Sequence, residues 1–322
     1  MGVNGALLAI DAGNSKTDVA LVARDGTVLG QARGGGFQPP RTGTAAAVAD
    51  LARIVTRAAG GRPRVEHVHA CLANADLPVE ERQLAAEVEG HGWGRTVTVA
   101  NDTFALLRAG LREGERAGVA VVCGAGINCS GLAADGRTAR FPALGRISGD
   151  WGGGGHLAEE ALWWAARADD GRGKPSELAR AVPAHFGLSG MPALIEALHL
   201  GRVEWARRHE LTPVLFSVAA GGDAVARSVV GRLAEEVVAM ARVALARLEL
   251  LETAVPVVLG GGVLAARHPL LHDRVVELLA ERAPKAVPLV VTAPPVLGAA
   301  LLGLDRLGAP PEAYARLRAQ YP

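Results

Sequence analysis

Cysteine is scarce in this sequence: Cys71, Cys123 and Cys129 are all there are in 322 residues. They sit inside apolar segments, without metal-ligand spacing or a paired framework, so a disulfide-stapled secreted fold is excluded and a reducing cytoplasm is the expectation. An excess of charge is missing too, since 34 Lys and Arg face 33 Asp and Glu for a net charge of +1. That balance leaves no electrostatic footprint for nucleic acid or an anionic membrane, and specificity has to come from a site. No apolar run reaches the roughly 18 residues of a membrane-spanning helix, and the first residues lack a charged, cleavable leader. No histidine has a second metal ligand at a convincing spacing, so His156 and His185 read as packed or surface residues.

What the chain does have is a hydrophobic content of 49% over a length that suits two domains. It opens on "LLAIDAGNSKTDVAL", a buried strand ended by Asp11, a small polar turn and a second apolar strand. Asp25-Gly26 then marks a hairpin. Residues 44–59 read as a helix, 65–72 as a strand, 79–90 as a helix and 96–100 as a strand. Such alternation predicts a largely parallel sheet covered by helices, with ligands gathering at the carboxyl ends of its strands. Asp11, Asn74 and Asp102 each follow a strand end. From "GVAVVCGAGINCSGLAADG" onward the opening theme repeats, with Asp135-Gly136 as a second hairpin signal. The duplication predicts two related α/β domains across a cleft: residues 1–115, completed by a C-terminal helix at 305–322, and residues 116–304. Leu233 to Leu251 is apolar enough for either a core helix or a dimer helix.

Three glycine-rich turns, each directly after an apolar strand, carry the chemical signal: "DAGNSKT" at 11–17, "GAGINC" at 124–129 and "GGGV" at 260–263. One alone is a tight turn; three in order, at separations that fit two duplicated domains, point to nucleotide phosphates held by backbone N–H groups. On residue type alone Asp102 in "NDT" is a helix N-cap, Asp11 is an acceptor for its own turn, and Asp150 is another N-cap. Trp151, beside four glycines, stacks on a ligand or plugs the domain interface.

Jointly these motifs resemble the N-acetylglucosamine kinase and BadF/BadG/BcrA/BcrD ATPase family, in the sugar-kinase branch of the actin-like ATPase superfamily. "LLAIDAGNSKTDVALVARDG" is similar to its first phosphate motif, "VAVVCGAGINCSG" to its second, "VVLGGGVL" to its adenosine motif and "NDTFALLRAG" to the segment with the catalytic acid. The resemblance implies an α/β fold of two ribonuclease-H-like domains with an interdomain cleft. It implies that Asp102 is the catalytic base and that Asp11 holds Mg²⁺ through water. Nucleotide contacts would come from Gly13, Asn14, Ser15, Lys16 and Thr17, from Gly124, Ala125 and Gly126, and from Gly260, Gly261 and Gly262. Sugar contacts would come from Gln38, which stands where the family has Asn, and from Asn74, Asn101, Asp102, Asn128, Gly149 and Asp150.

The implied activity is ATP- and Mg²⁺-dependent phosphorylation of an amino sugar, N-acetylglucosamine or glucosamine, by a cytoplasmic homodimer. A BadF-type activating ATPase of a radical dehydratase shares the fold but needs thiolates for an iron–sulfur cluster. A non-catalytic sugar- or nucleotide-binding regulator would need a DNA-binding extension, and none precedes Leu7.

Overall fold

The computed structural model describes residues 5–321; residues 1–4 and 322, the outer ends of the two expected domain ranges, lie outside the described residues. β1 (Leu7–Ala12) is buried along its whole length, and the polar turn after it returns the chain antiparallel as β2 (Lys16–Val22). The Asp25-Gly26 hairpin, with Gly26 at φ 87°, leads to β3 (Val28–Gly35). The Thr44–Ala59 helix crosses to β4 (Val65–Leu72) and the Pro78–Gly90 helix to β5 (Gly94–Asn101). Both strands run parallel to β1, so the sheet order is β3-β2-β1-β4-β5. Helices on both faces explain why β1 reads as a continuous apolar run up to Asp11 and not as an alternating one.

The second sheet repeats this plan strand for strand. β6 (Gly118–Cys123), β7 (Ile127–Leu132) and β8 (Thr138–Arg140) form the meander, and β9 (Val255–Gly260) and β10 (Ala286–Val290) complete the parallel side in the order β8-β7-β6-β9-β10. Between β8 and β9 runs a helical insertion whose longest member, Ala224–Arg247, begins with Asp223 accepting from Ala226 N–H at 2.8 Å. That helix buries Leu233, Val237, Val238, Ala241 and Leu245 against β6 and the Pro269–Arg282 helix, so it is a core element. Trp151 joins the same core, with the Arg232 guanidinium 4.0 Å from its ring centre. Among the described residues no single helix is long and apolar enough to cross a membrane.

Two helices exchange places between the halves. The Thr103–Gly110 helix leaves β5 of the first sheet but packs on β6, β7 and β9 of the second, placing Leu106, Leu107 and Leu111 against Ala120 and Val258. The Pro295–Leu307 helix follows β10 of the second sheet but covers β1, β2 and β4 of the first, where Leu297, Leu301 and Leu304 meet Leu7, Ala9 and Ala20. The two helices also pack on each other. The expected break at residue 304 is therefore corrected to about residue 295, because the apolar face of that whole helix has its partners on the first sheet.

His67, His69 and Cys71 alternate onto the face of β4 that the Pro295–Leu307 helix covers. His67 bonds Thr96 Oγ1 at 2.9 Å and lies 3.4 Å from His69 Nδ1, while His69 Nε2 is buried with no partner. Burial, the His67 ring and the nearby Arg306 push the His69 imidazole down to about 4, against a smaller opposing pull from Asp305. The folded state thus keeps His69 neutral while the unfolded chain takes up a proton below about pH 6.5. Stability present above that pH is lost as the pH falls toward 4, by about 2 kcal/mol at pH 5. Urea midpoints between pH 7.5 and 5 should fall accordingly for the wild type and less for His69→Phe; parallel slopes for both would remove His69 from the account.

Candidate active site

The carboxyl ends of β1, β4 and β5 lie side by side, and each is followed by a polar side chain aimed at the gap between the two sheets. Asp11, near the end of β1, is 5% exposed. The turn after it is closed by Gly13 N–H donating to Lys16 O at 2.9 Å. After β4, Asn74 adopts a left-handed φ of 62°, which Asn tolerates, and its amide donates to Asn14 Oδ1 and to Phe37 O, both at 3.1 Å. Asn74 thereby ties the first turn to the loop beyond β3.

At the end of β5 the capping role goes to Asn101, not Asp102. Asn101 Oδ1 accepts from Thr103 N–H at 3.1 Å and from Thr103 Oγ at 2.6 Å, which satisfies the start of the Thr103–Gly110 helix. Asp102 makes no side-chain capping bond and faces the cleft instead. Across the gap, the 124–126 turn is fixed by Gly154 N–H donating to Gly124 O at 2.7 Å and Gly155 N–H donating to Ala125 O at 2.9 Å. Gly153 sits at φ 81°, where an added Cβ would come within 2.4 Å of Gly126 Cα. The glycine run at 152–155 is therefore required for the second turn to dock on its helix.

These elements enclose a chamber of about 270 Å³ lined by Asp11, Asp76, Asp102 and Asn128, together with Gly13, Asn14, Ser15, Lys16, Asn74 and Gly124–Gly126. A wider groove of about 1020 Å³ adjoins it, lined by Phe216, Thr212, Gly262, Val263 and His268. The two share Asn14, Ser15, Gly124 and Ala125, so both glycine-rich turns stand where they meet.

Several expected contacts are displaced. Thr17 is 2% exposed within β2 and lines neither space. Lys16 lines the chamber but lies 3.6 Å from Asp18, which also receives a bidentate Arg33. Gly124 N–H is spent on Gly126 O, leaving Ala125 and Gly126 to present backbone. Gly260 packs on Leu106, whereas Gly261 lines the chamber and Gly262 the groove. Gln38 lines the groove and not the chamber, and its amide donates to Asn14 O at 2.9 Å. Asn101 is buried beneath the chamber, where it works as an organiser. Gly149 and Asp150 line neither space: Asp150 Oδ2 accepts from Gly145 N–H and Ser148 Oγ, and the following helix starts only at Gly153, so Asp150 closes its own loop and caps nothing.

One cleft residue escaped the sequence reading. Asp76 Oδ1 accepts from Asn101 at 2.8 Å and from Asn128 of the second sheet at 3.3 Å, while Arg140 of β8 bonds Ala75 O and Glu81 beside it. Its signal was available in "NADLP", a carboxylate between the end of β4 and the helix that begins at Pro78.

Carboxylates crowded in a buried space hold their protons more tightly. Burial and then the charges of Asp102 and Asp18 push Asp11 well up, with Lys16 opposing. Burial pushes Asp102 up to about 6, partly offset by the neighbouring backbone N–H groups, and burial with Asp102 and Glu80 pushes Asp76 to about 7. No three His, Cys, Asp or Glu side chains among the described residues converge as a metal cage. Asp11 nonetheless fits a hydrated magnesium ion, since that ion takes one or two carboxylates, keeps several waters and draws its other ligands from phosphate oxygens.

The family model of the BadF/BadG/BcrA/BcrD ATPases matches residues 8–303, spanning both sheets and all three glycine-rich turns. The chain belongs to this family. It is 26% identical over 240 residues to an N-acetyl-D-glucosamine kinase of Dictyostelium discoideum, covering 73% of this chain and 75% of that protein. It is 25% identical over 266 residues, 80% of this chain and 85% of the other, to an N-acetylmuramic acid/N-acetylglucosamine kinase of Clostridium acetobutylicum. The crystal structure of a candidate N-acetylglucosamine kinase from Chromobacterium violaceum superposes with a TM-score of 0.71 at 27% identity, covering 92% of this chain and 98% of that one. A ROK-family glucokinase from Streptomyces griseus, solved with glucose and AMPPNP, shares the fold at a TM-score of 0.59 and 18% identity, covering 94% of this chain and 99% of that one. The two-domain actin-like architecture expected from the sequence is thereby shown.

Proposed function

We propose that the protein is an ATP-dependent kinase that transfers the γ-phosphoryl group to a hydroxyl of an amino sugar, N-acetylglucosamine or glucosamine. The carrying observation is the meeting of a small carboxylate-lined chamber with a large nucleoside-sized groove at the two glycine-rich turns. The kinase names of the relatives at 25–27% identity support the same reading. In it Asp102 takes the proton of the attacking hydroxyl, and a carboxyl held near pKa 6 is a better base at neutral pH than an ordinary one. Ala125 and Gly126 offer backbone N–H groups to the phosphates, and Asn74, Asp76 and Asn128 orient the sugar. Asp11 holds magnesium through water, where the ion would neutralise developing phosphate charge. Asn101 acts through its neighbours, locking Asp76 and the start of the Thr103–Gly110 helix.

The activating-ATPase alternative needs accessible thiolates, but Cys71, Cys123 and Cys129 are all buried, and burial pushes the Cys123 thiol up to about 12. We place the enzyme in the cytoplasm as a homodimer; the Ala224–Arg247 helix, being core, would not form its interface. Ligands that bind only the folded state stabilise it by mass action, by about 2.7 kcal/mol at a hundred times the dissociation constant. Mg-ATP should therefore raise the melting temperature by several degrees, and a coupled ADP-release screen across hexoses, amino sugars and N-acetyl amino sugars should show turnover on the amino sugars. No thermal response at millimolar nucleotide would end the kinase reading.

A further inference from the structure

The wide groove is built mostly from the second domain, but one of its walls comes from the first: Asn14, Ser15, Gln38 and Arg41. Among its described lining residues Arg41 is the one arginine or lysine. The other cation near the glycine-rich turns, Lys16, stands over the chamber and is drawn to Asp18. Arg41 is exposed, and its recorded hydrogen bond is Nη1 donating to Gln38 Oε1 at 2.9 Å. Gln38 in turn donates from its amide to Asn14 O at 2.9 Å, so the guanidinium is strapped to the first glycine-rich turn with donors left over. A guanidinium presents five N–H donors in a planar fork suited to phosphate oxygens.

We propose that Arg41, which stands on the first domain's wall of the groove, binds the terminal phosphates of the nucleotide from across the cleft. This rests on the kinase reading above. Three geometric facts carry it: among the described residues the groove has no other arginine or lysine, Arg41 shares that wall with Asn14 and Ser15 where chamber and groove meet, and no carboxylate among the described residues forms a salt bridge with it. Without this residue the phosphates of a bound ligand would meet no arginine or lysine among the described residues that line the groove. The coupling also gives a physical reason why the Gln38 loop belongs to the nucleotide wall and not to the sugar chamber.

The test is calorimetric titration of wild type, Arg41→Gln and Arg41→Lys with ATP, ADP and adenosine in the presence of magnesium. Charge-assisted hydrogen bonds to phosphate predict a roughly ten- to hundred-fold loss of ATP affinity in Arg41→Gln, partial recovery in Arg41→Lys and unchanged adenosine affinity. Because Arg41 is exposed, the melting temperature without nucleotide should stay that of the wild type. Wild-type ATP affinity in Arg41→Gln, or an equal loss for ATP and adenosine, overturns this assignment alone. Failure of the wild type to bind ATP overturns it together with the kinase reading.

Discussion

Replacing Asp102 by Asn should lower turnover by roughly 10²–10⁴ while leaving the fold and sugar binding in place. The amide keeps the size and most of the hydrogen-bonding capacity but cannot accept the hydroxyl proton. Asp102 makes no side-chain capping bond, since Asn101 satisfies the start of that helix, so Asp102→Asn leaves the Asn101–Thr103 bonds in place. The pH profile provides a second readout. A base whose carboxyl sits near 6 is charged above that pH, so wild-type kcat/KM should rise through about pH 6 and then level, and the residual activity of the variant should lose that limb. Turnover, sugar affinity by calorimetry and melting temperature should be measured on one preparation. A folded, sugar-binding variant with wild-type turnover would move the base elsewhere, and Asp76 would be the next residue to test, because it lines the chamber whereas Asp150 does not.

Gly298→Ala should destabilise the protein by about 3 kcal/mol or more, a large effect for a single methyl group. An added Cβ at Gly298 would stand 1.7 Å from Ala105 O and 2.9 Å from Ala109 N, both backbone atoms of the Thr103–Gly110 helix. Backbone cannot swing aside as a flexible side chain would. The two exchanged helices must then separate, loosening both sheets at once. Gly231→Ala is the control, because Gly231 lies in the Ala224–Arg247 helix with open space around its Cβ position. There the same change should add helix propensity and stabilise by about 0.5–1 kcal/mol. Urea unfolding of both variants decides the matter: equal midpoints would mean that the helix contact yields without cost.

The contrast between these two glycines illustrates what the sequence could disclose. Hairpins at Asp25-Gly26 and Asp135-Gly136, the strand at Val65–Leu72 and the three glycine-rich turns were legible because turn chemistry and apolar runs are local. The Pro295–Leu307 helix was legible as a helix but not as a cover for the first sheet, since a strongly apolar segment carries no label for the face it joins. Asp76 was missed for a related reason: what distinguishes it is Asn128, 52 residues away on the other sheet. The bland alternative for Asp150, a helix N-cap, does not hold because two residues separate it from the helix start at Gly153, and its carboxylate bonds back into its own loop instead.

The exchange of helices has a consequence for how the chain is made. β1, beginning at Leu7, leaves the ribosome well before the helix that covers its inner face, which begins at Pro295. Until then Leu7, Ala9, Ala20 and Cys71 lack the apolar cover of Leu297, Leu301 and Leu304, so the first sheet cannot reach its native packing before that helix has emerged. The second domain, by contrast, has its meander, helical insertion and parallel strands in hand once residue 290 has emerged, and the Thr103–Gly110 helix was supplied earlier. Of these two halves the one made first is therefore finished last, and the nascent chain must shelter an open apolar sheet face until the Pro295–Leu307 helix has emerged.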